Sequence, residues 1–222
     1  RPGREVVKKI LPTLLKEYCP DLVIANAENL AGGRGINERT IHEMKQAGVQ
    51  VFTGGNHSFD LSEGAQMLDQ ERIPVLRPAN FPPGTPGRGF TLVKIASGER
   101  ALVISLQGRV FMPQDLDCPF RVLEDILSST PRSSYDAVFV DLHAEATSEK
   151  QALRWAFDGR VSAVIGTHTH VPTADADISP AGTAFQADAG MNGSLDSCLG
   201  VKKNLIIEKF KSQMPVSHDL EK

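Results

Sequence analysis

Four times along this chain a short run of aliphatic and β-branched residues gives out onto a cluster of amides, carboxylates and imidazoles, with helical apolar spacing between the runs. Leu22–Ala25 leads into Asn26-Ala27-Glu28-Asn29, and Val49–Thr53 leads into Gly54-Gly55-Asn56-His57. Ala137–Val140 leads into Asp141-Leu142-His143-Ala144-Glu145, and Val161–Ile165 into Gly166-Thr167-His168-Thr169-His170. Short apolar runs bounded by turn residues read as buried strands, and their alternation with helices selects an α/β architecture. The carboxyl ends of strands in such sheets share one edge, so loops distant in sequence converge there. The pattern predicts one site fed by four loops.

The intervening segments support this arrangement. Val6, Val7, Ile10, Leu11, Leu14 and Leu15 recur at helical spacing until Tyr18-Cys19-Pro20. Asn37 caps a second helix that runs through Lys45 and stops at Gly48. Further helices are expected over Ser62–Gln70, Phe120–Ser128, Ser148–Phe157 and Asn204–Phe210, with short strands at Pro74-Val75-Leu76 and Thr183–Ala187. Phe90–Ala96 and Arg100–Leu106 flank Ser97-Gly98-Glu99, a hairpin signal that makes the sheet mixed. Four prolines and three glycines make Arg77–Gly89 an irregular loop, either a pocket border together with Arg109 or plain surface. At 222 residues, with no repeat or linker, the chain is expected to be one domain.

A net charge of −3 leaves no overall positive field to hold nucleic acid or an anionic membrane surface, so an anionic ligand must be held locally. The longest apolar stretches are strand-sized, far short of a membrane span, and the sequence as given opens on no signal-peptide pattern. Cys19, Cys118 and Cys198 form no Cys-x-x-Cys pair, which argues against a disulfide framework or thiolate zinc site and fits a reducing cytoplasm.

Four of the six histidines, His57, His143, His168 and His170, fall in the strand-end clusters. Imidazoles bind borderline divalent metals and move protons near neutral pH. His168 and His170 stand two apart, so an extended backbone would send both to one face. Each feature alone has an ordinary structural use: an Asn-His turn closes a loop, Glu28-Asn29 caps a helix, and a buried histidine bonds a carbonyl. Together they form a ligand set. Among Glu28, Asn29, Asn56, His143, His168 and His170 only the glutamate is anionic, so two divalent ions there keep a net positive charge that attracts phosphate. Two such ions about 3.5–4 Å apart can share a hydroxide and aim it in line at phosphorus. His57, standing clear of the metals, is the candidate general acid for the leaving oxygen. Iron, manganese, zinc and cobalt suit these ligands alike. Ser58 and Ser105 lack a nucleophile elbow, and Cys118 lacks an activating partner, which disfavours a serine or cysteine hydrolase.

Gly55-Asn56-His57, the later His143 and Gly166-Thr167-His168-Thr169-His170 resemble the motifs of the calcineurin-like metallophosphoesterase superfamily. The finer resemblance is to its bacterial YmdB-like branch, small phosphodiesterases credited with cyclic nucleotide hydrolysis. It rests on Asn26-Ala27-Glu28-Asn29, Arg77-Pro78-Ala79-Asn80-Phe81-Pro82, Leu106-Gln107-Gly108-Arg109, Asp141 through Lys150, and Gly190-Met191, in that order over nearly the whole chain. The resemblance implies that Glu28 bridges two metal ions, with Asn29 and His170 on one, Asn56, His143 and His168 on the other, and His57 as proton donor. It implies a four-layer α/β sandwich of two mixed β-sheets flanked by helices, a cytoplasmic homo-oligomer, and a small phosphorylated substrate such as a cyclic nucleotide. The superfamily's opening Gly-Asp strand has no counterpart here, and relatives extend beyond Gln213-Met214-Pro215. The expectation is therefore one metallophosphoesterase domain over 1–222, lacking its first strand and C-terminal strands. The alternatives are a phosphomonoesterase, or a weakly active regulatory protein that binds metal or nucleotide.

Overall fold

The computed structural model describes residues 2–70 and 75–221. Helix α1 (Pro2–Tyr18) lays Val7 and Leu11 against a core cluster, while Val6, Ile10 and Leu14 on its other side are exposed, so the apolar spacing is broader than the face the fold buries. Strand β1 (Ile24–Asn26) follows, then helix α2 (Glu38–Ala47) and strand β2 (Val51–Thr53). Asn37 caps α2 as its sequence predicts, with its side-chain oxygen accepting from the Thr40 N–H at 2.9 Å. Gly48 ends the helix at φ +117°, a conformation glycine adopts without a Cβ clash. Helix α3 (Ser62–Leu68) ends two residues before the expected Gln70. Pro74 lies outside the described residues, and Val75 makes a single parallel bridge to Phe52.

The second half builds a six-stranded mixed sheet in the order β3-β4-β5-β6-β8-β7. Its strands are β3 (Phe90–Lys94), β4 (Arg100–Gln107), β5 (Ala137–His143), β6 (Ala163–Thr167), β7 (Asp177–Ile178) and β8 (Ala184–Gln186). Strands β4, β5, β6 and β8 run parallel, and β3 and β7 pair antiparallel at the two edges. The β3–β4 hairpin was expected; the two-residue β7 has no alternating pattern that sequence could reveal. Helix α4 (Pro119–Ser129) and helix α5 (Thr147–Ala156) connect the parallel strands, and α6 (Lys203–Ser212) follows the sheet. No helix among the described residues is long and apolar enough to cross a membrane.

Strand alternation produces four layers. Leu102, Ile104 and Leu106 of β4 and Val138, Val140 and Leu142 of β5 share a core with Leu123 of α4 and Leu153 of α5. The intervening Val103 and Phe139 face the other way, into a small cluster with Val51 and Ile24 of the parallel β1–β2 sheet. Phe52 and Ala25, the alternate residues of that smaller sheet, pack with Ile41 and Met44 of α2 and Met67 of α3. The order is helices, small sheet, large sheet, helices, because side chains on a strand point alternately to opposite faces. Ile104→Ala, which empties a fully buried position, should cost about 2–5 kcal/mol in urea unfolding, whereas Val6→Ala on the exposed side of α1 should stay within about 0.5 kcal/mol.

Candidate metal centre

The row of residues between the sheets changes character toward the carboxyl ends of the strands. On β4 it reads Val103, Ser105, Gln107, and on β5 Phe139, Asp141, His143, in register across the pair. The small sheet turns polar at the same level, from Ile24 and Val51 to Asn26 and Thr53. Asp141 is buried at this transition and accepts from Asn26 Nδ2 at 3.2 Å, from Thr167 Oγ1 at 2.7 Å and from Thr53 Oγ1. Burial pushes its carboxyl pKa up, against the pull of these donors and of nearby His143.

Above Asp141 several donor atoms converge. His143 Nε2 lies 2.9 Å from Asn56 Oδ1, 3.1 Å from His168 Nδ1 and 3.3 Å from Glu28 Oε1. Among the described residues, Glu28, His143 and His168 offer ligand atoms all within 4.8 Å of one another. Tautomers follow from the outer partners. Thr167 has one hydroxyl proton, and donating it to Asp141 leaves Oγ1 to accept from His143 Nδ1 at 2.9 Å. His143 Nε2 then carries a lone pair. His168 places Nε2 3.1 Å from the Glu145 carboxylate, which leaves the Nδ1 lone pair facing His143. Two lone pairs opposed at 3.1 Å repel, and a cation between them turns repulsion into ligation. The donor set therefore fits a divalent metal.

Neighbouring features protect this convergence. A side chain at Gly55 would overlap the His143 ring and the Glu28 carboxylate, so only glycine lets the loop pass. Burial opposes ionisation of Glu28, yet when His143 is protonated, so that its Nε2–H donates to the carboxylate, the hydrogen bond and charge of that ring and the His57 N–H at 2.9 Å hold the carboxyl below the ordinary value. Burial first, then the charge of His143, lowers the pKa of His168; burial likewise lowers that of His170. Both are thereby favoured as neutral imidazoles, the form that binds metals.

Of the residues singled out from sequence, Glu28, Asn56, His143 and His168 meet in this cluster. His170 is half-buried within electrostatic reach of Glu28, His143 and His57. Asn29 donates its side-chain amide to the Gly33 carbonyl at 2.8 Å, in the turn after β1. His57 stands at the rim with Nδ1 2.7 Å from Asp60 Oδ2. The extended conformation expected for His168–His170 is not found. Strand β6 ends at Thr167, and His168 and His170 take φ of +105° and +67°. The cause is Asp188, whose carboxylate accepts from the Thr169 N–H at 2.9 Å and the Gly190 N–H at 2.8 Å and is itself paired with buried Lys150 at 3.1 Å. Sequence reasoning did not assign Asp60, Asp141, Glu145 or Thr167. All four carried a signal, each lying within three residues of a singled-out histidine.

The family model for YmdB-like protein matches residues 1–222. The chain is 48% identical over 217 residues to a 2′,3′-cyclic-nucleotide 2′-phosphodiesterase of Bacillus subtilis (strain 168), covering 97% of this chain and 80% of that protein. A crystal structure of a hypothetical protein from Thermus thermophilus superposes with a TM-score of 0.91 at 42% identity, over 100% of this chain and 84% of that one. A crystal structure of a novel phosphatase from Mycoplasma pneumoniae gives 0.90 at 34% identity, over 100% and 79%.

Thr167→Val keeps the shape of the side chain but removes the link between Asp141 and His143. It should weaken binding of Mn²⁺ about 10–100-fold by calorimetric titration, and unchanged affinity would show that Thr167 does not orient the ring.

Proposed function

The chain belongs to the YmdB-like protein family and is a phosphoester hydrolase, and we propose that it is a dinuclear metal-dependent phosphodiesterase of 2′,3′-cyclic nucleotides. One observation carries this reading: Glu28, Asn56, His143 and His168 aim their ligand atoms at one point, with His57 held beside them. The substrate class is taken from the reaction of the Bacillus relative at 48% identity.

Glu28, with one oxygen toward His143 and the other on the His57 N–H, would serve both metal positions. Asn56, His143 and His168 would hold the first, and Asn29 and His170 would contribute to the second. Divalent ions held there would supply positive charge to the phosphoryl group and lower the pKa of a water. As the water oxygen bonds to phosphorus, one ester P–O bond of the cyclic phosphate breaks and its oxygen needs a proton. His57 supplies it. With Nδ1 turned to Asp60, Nε2 is the atom left for transfer, and the partly exposed ring can meet substrate at the rim. The inter-sheet cluster that joins the two halves supports one metallophosphoesterase domain over residues 1–222. Three free cysteines support a cytoplasmic setting, and the exposed Ile207 and Phe210 of α6 support self-association.

His57→Ala should lower kcat on a 2′,3′-cyclic nucleotide about 10²–10⁴-fold while metal content by elemental analysis stays unchanged. The loss should be much smaller on a p-nitrophenyl diester, whose leaving oxygen scarcely needs a proton. Faster turnover of phosphate monoesters than of diesters in the metal-loaded protein would instead assign it as a phosphomonoesterase. Full diester hydrolysis after chelation would sink the metal mechanism. Metal retention should also depend on pH. Protonation of imidazole ligands releases the metal as pH falls, and burial holds His168 and His170 below the ordinary histidine value. Release during stepped dialysis should therefore lie on the acid side of the range for an exposed histidine.

A further inference from the structure

The proposed metal centre would recognise phosphate through imidazole, amide and carboxylate donors, whereas a nucleobase calls for a further, exposed apolar face. Such a surface stands on the arc that follows β4. Both ends of this arc are tied to proposed metal ligands. At one end the Gly108 N–H donates to the His143 carbonyl at 3.0 Å. At the other, Gln114 donates Nε2 to the Asn56 carbonyl at 2.8 Å and receives Gln107 Nε2 at 2.8 Å. Between these ties the chain closes a turn, with Met112 N–H donating to the Arg109 carbonyl at 3.3 Å. Phe111 occupies the third position of that turn at φ +61°, where glycine or asparagine is usual.

Phe111 is 86% exposed. Nearly buried Glu149 keeps the turn in place, its carboxylate accepting the N–H groups of Arg109 at 3.0 and 3.1 Å and of Val110 at 3.2 Å. A left-handed backbone at a non-glycine residue is unfavourable and persists only where the surroundings enforce it. Here a buried carboxylate and two side-chain amides enforce a conformation that turns an aromatic ring outward, a few residues beyond Gln107, the register partner of His143.

We propose that Phe111 is the nucleobase platform, a specificity-determining residue on which the base stacks while the cyclic phosphate lies at the metal centre. The proposal rests on the cyclic-nucleotide reading above. Every base presents a π-face, so a stacking platform gives affinity for nucleotides without choosing among bases.

The test compares kcat/KM for 2′,3′-cyclic AMP with that for a base-free analogue, methyl riboside 2′,3′-cyclic phosphate, in the metal-loaded protein. In Phe111→Ala the ratio should fall about 5–150-fold, the range that corresponds to loss of one base–aromatic stack. Phe111→Tyr should restore it. Phe111→Leu keeps apolar bulk without a π-face and should behave like the alanine variant. An unchanged ratio in Phe111→Ala, or a leucine variant equal to wild type, overturns the stacking role. A global effect on folding would lower both substrates together and leave the ratio unchanged, which counts against the proposal. If the wild-type protein turns over neither cyclic phosphate but hydrolyses other phosphoesters, the substrate reading itself has failed, and the base platform falls with it.

Discussion

Asp141 holds the two halves of this molecule to one another at the level where chemistry begins. It sits on the central strand of the large sheet and takes hydrogen bonds from Asn26 and Thr53 of the small sheet and from Thr167 of the neighbouring strand. A buried carboxylate without partners is strongly disfavoured, so this contact is made well or not at all. Because it is made, the carboxyl ends of β1, β2, β5 and β6 are fixed at a common height. The side chains beyond them, Glu28, Asn56, His143 and His168, can then meet. Thr167 passes the constraint on to the His143 ring, so the carboxylate that joins the sheets also sets a tautomer in the proposed metal shell.

A second buried charge works in the same way on the opposite side of the cluster. Lys150 of α5 and Asp188 beyond β8 form an almost fully buried ion pair. Asp188 uses its remaining acceptor capacity on the main-chain N–H groups of Thr169 and Gly190. Breaking a buried pair leaves an uncompensated charge, which makes the pair a firm clamp even where its net contribution to stability is small. What it clamps is the segment His168–His170 in a left-handed conformation that two histidines would not adopt unaided. Glu149, next to Lys150 on the same helix, anchors the arc carrying Phe111. One turn of α5 thus supports the histidine segment through one residue and the rim of the site through the next.

Phosphoester hydrolysis asks for cationic density that accepts a charged phosphoryl group while the surrounding protein stays close to neutral. The proposed centre would meet this with one carboxylate, an amide and imidazoles, while the outer carboxylates of Glu145 and Asp60 lie against the His168 and His57 rings. His57 differs from the other histidines in just this respect. Its backbone N–H is bound to Glu28, but its ring turns to Asp60 at the rim, free of the converging donors.

The sequence alone determined the α/β alternation, the caps at Asn37 and Gly48, the β3–β4 hairpin and the four strand ends at which polar residues gather. These are local matters, set by periodicity and turn chemistry within a few residues, and the singled-out residues Glu28, Asn56, His143 and His168 were legible because each stands three residues past the end of an apolar run. Tertiary structure decided the rest. Asp141 and Thr167 acquire a role only when the second sheet and the neighbouring strand supply their partners. His168 and His170 lost their expected extended backbone to a carboxylate some twenty residues further on, a contact that no local pattern encodes. Strand β7 is too short to carry a period. A hydrogen bond across the fold can outweigh the intrinsic preference of the segment it holds, and the site was least legible where such bonds govern the backbone.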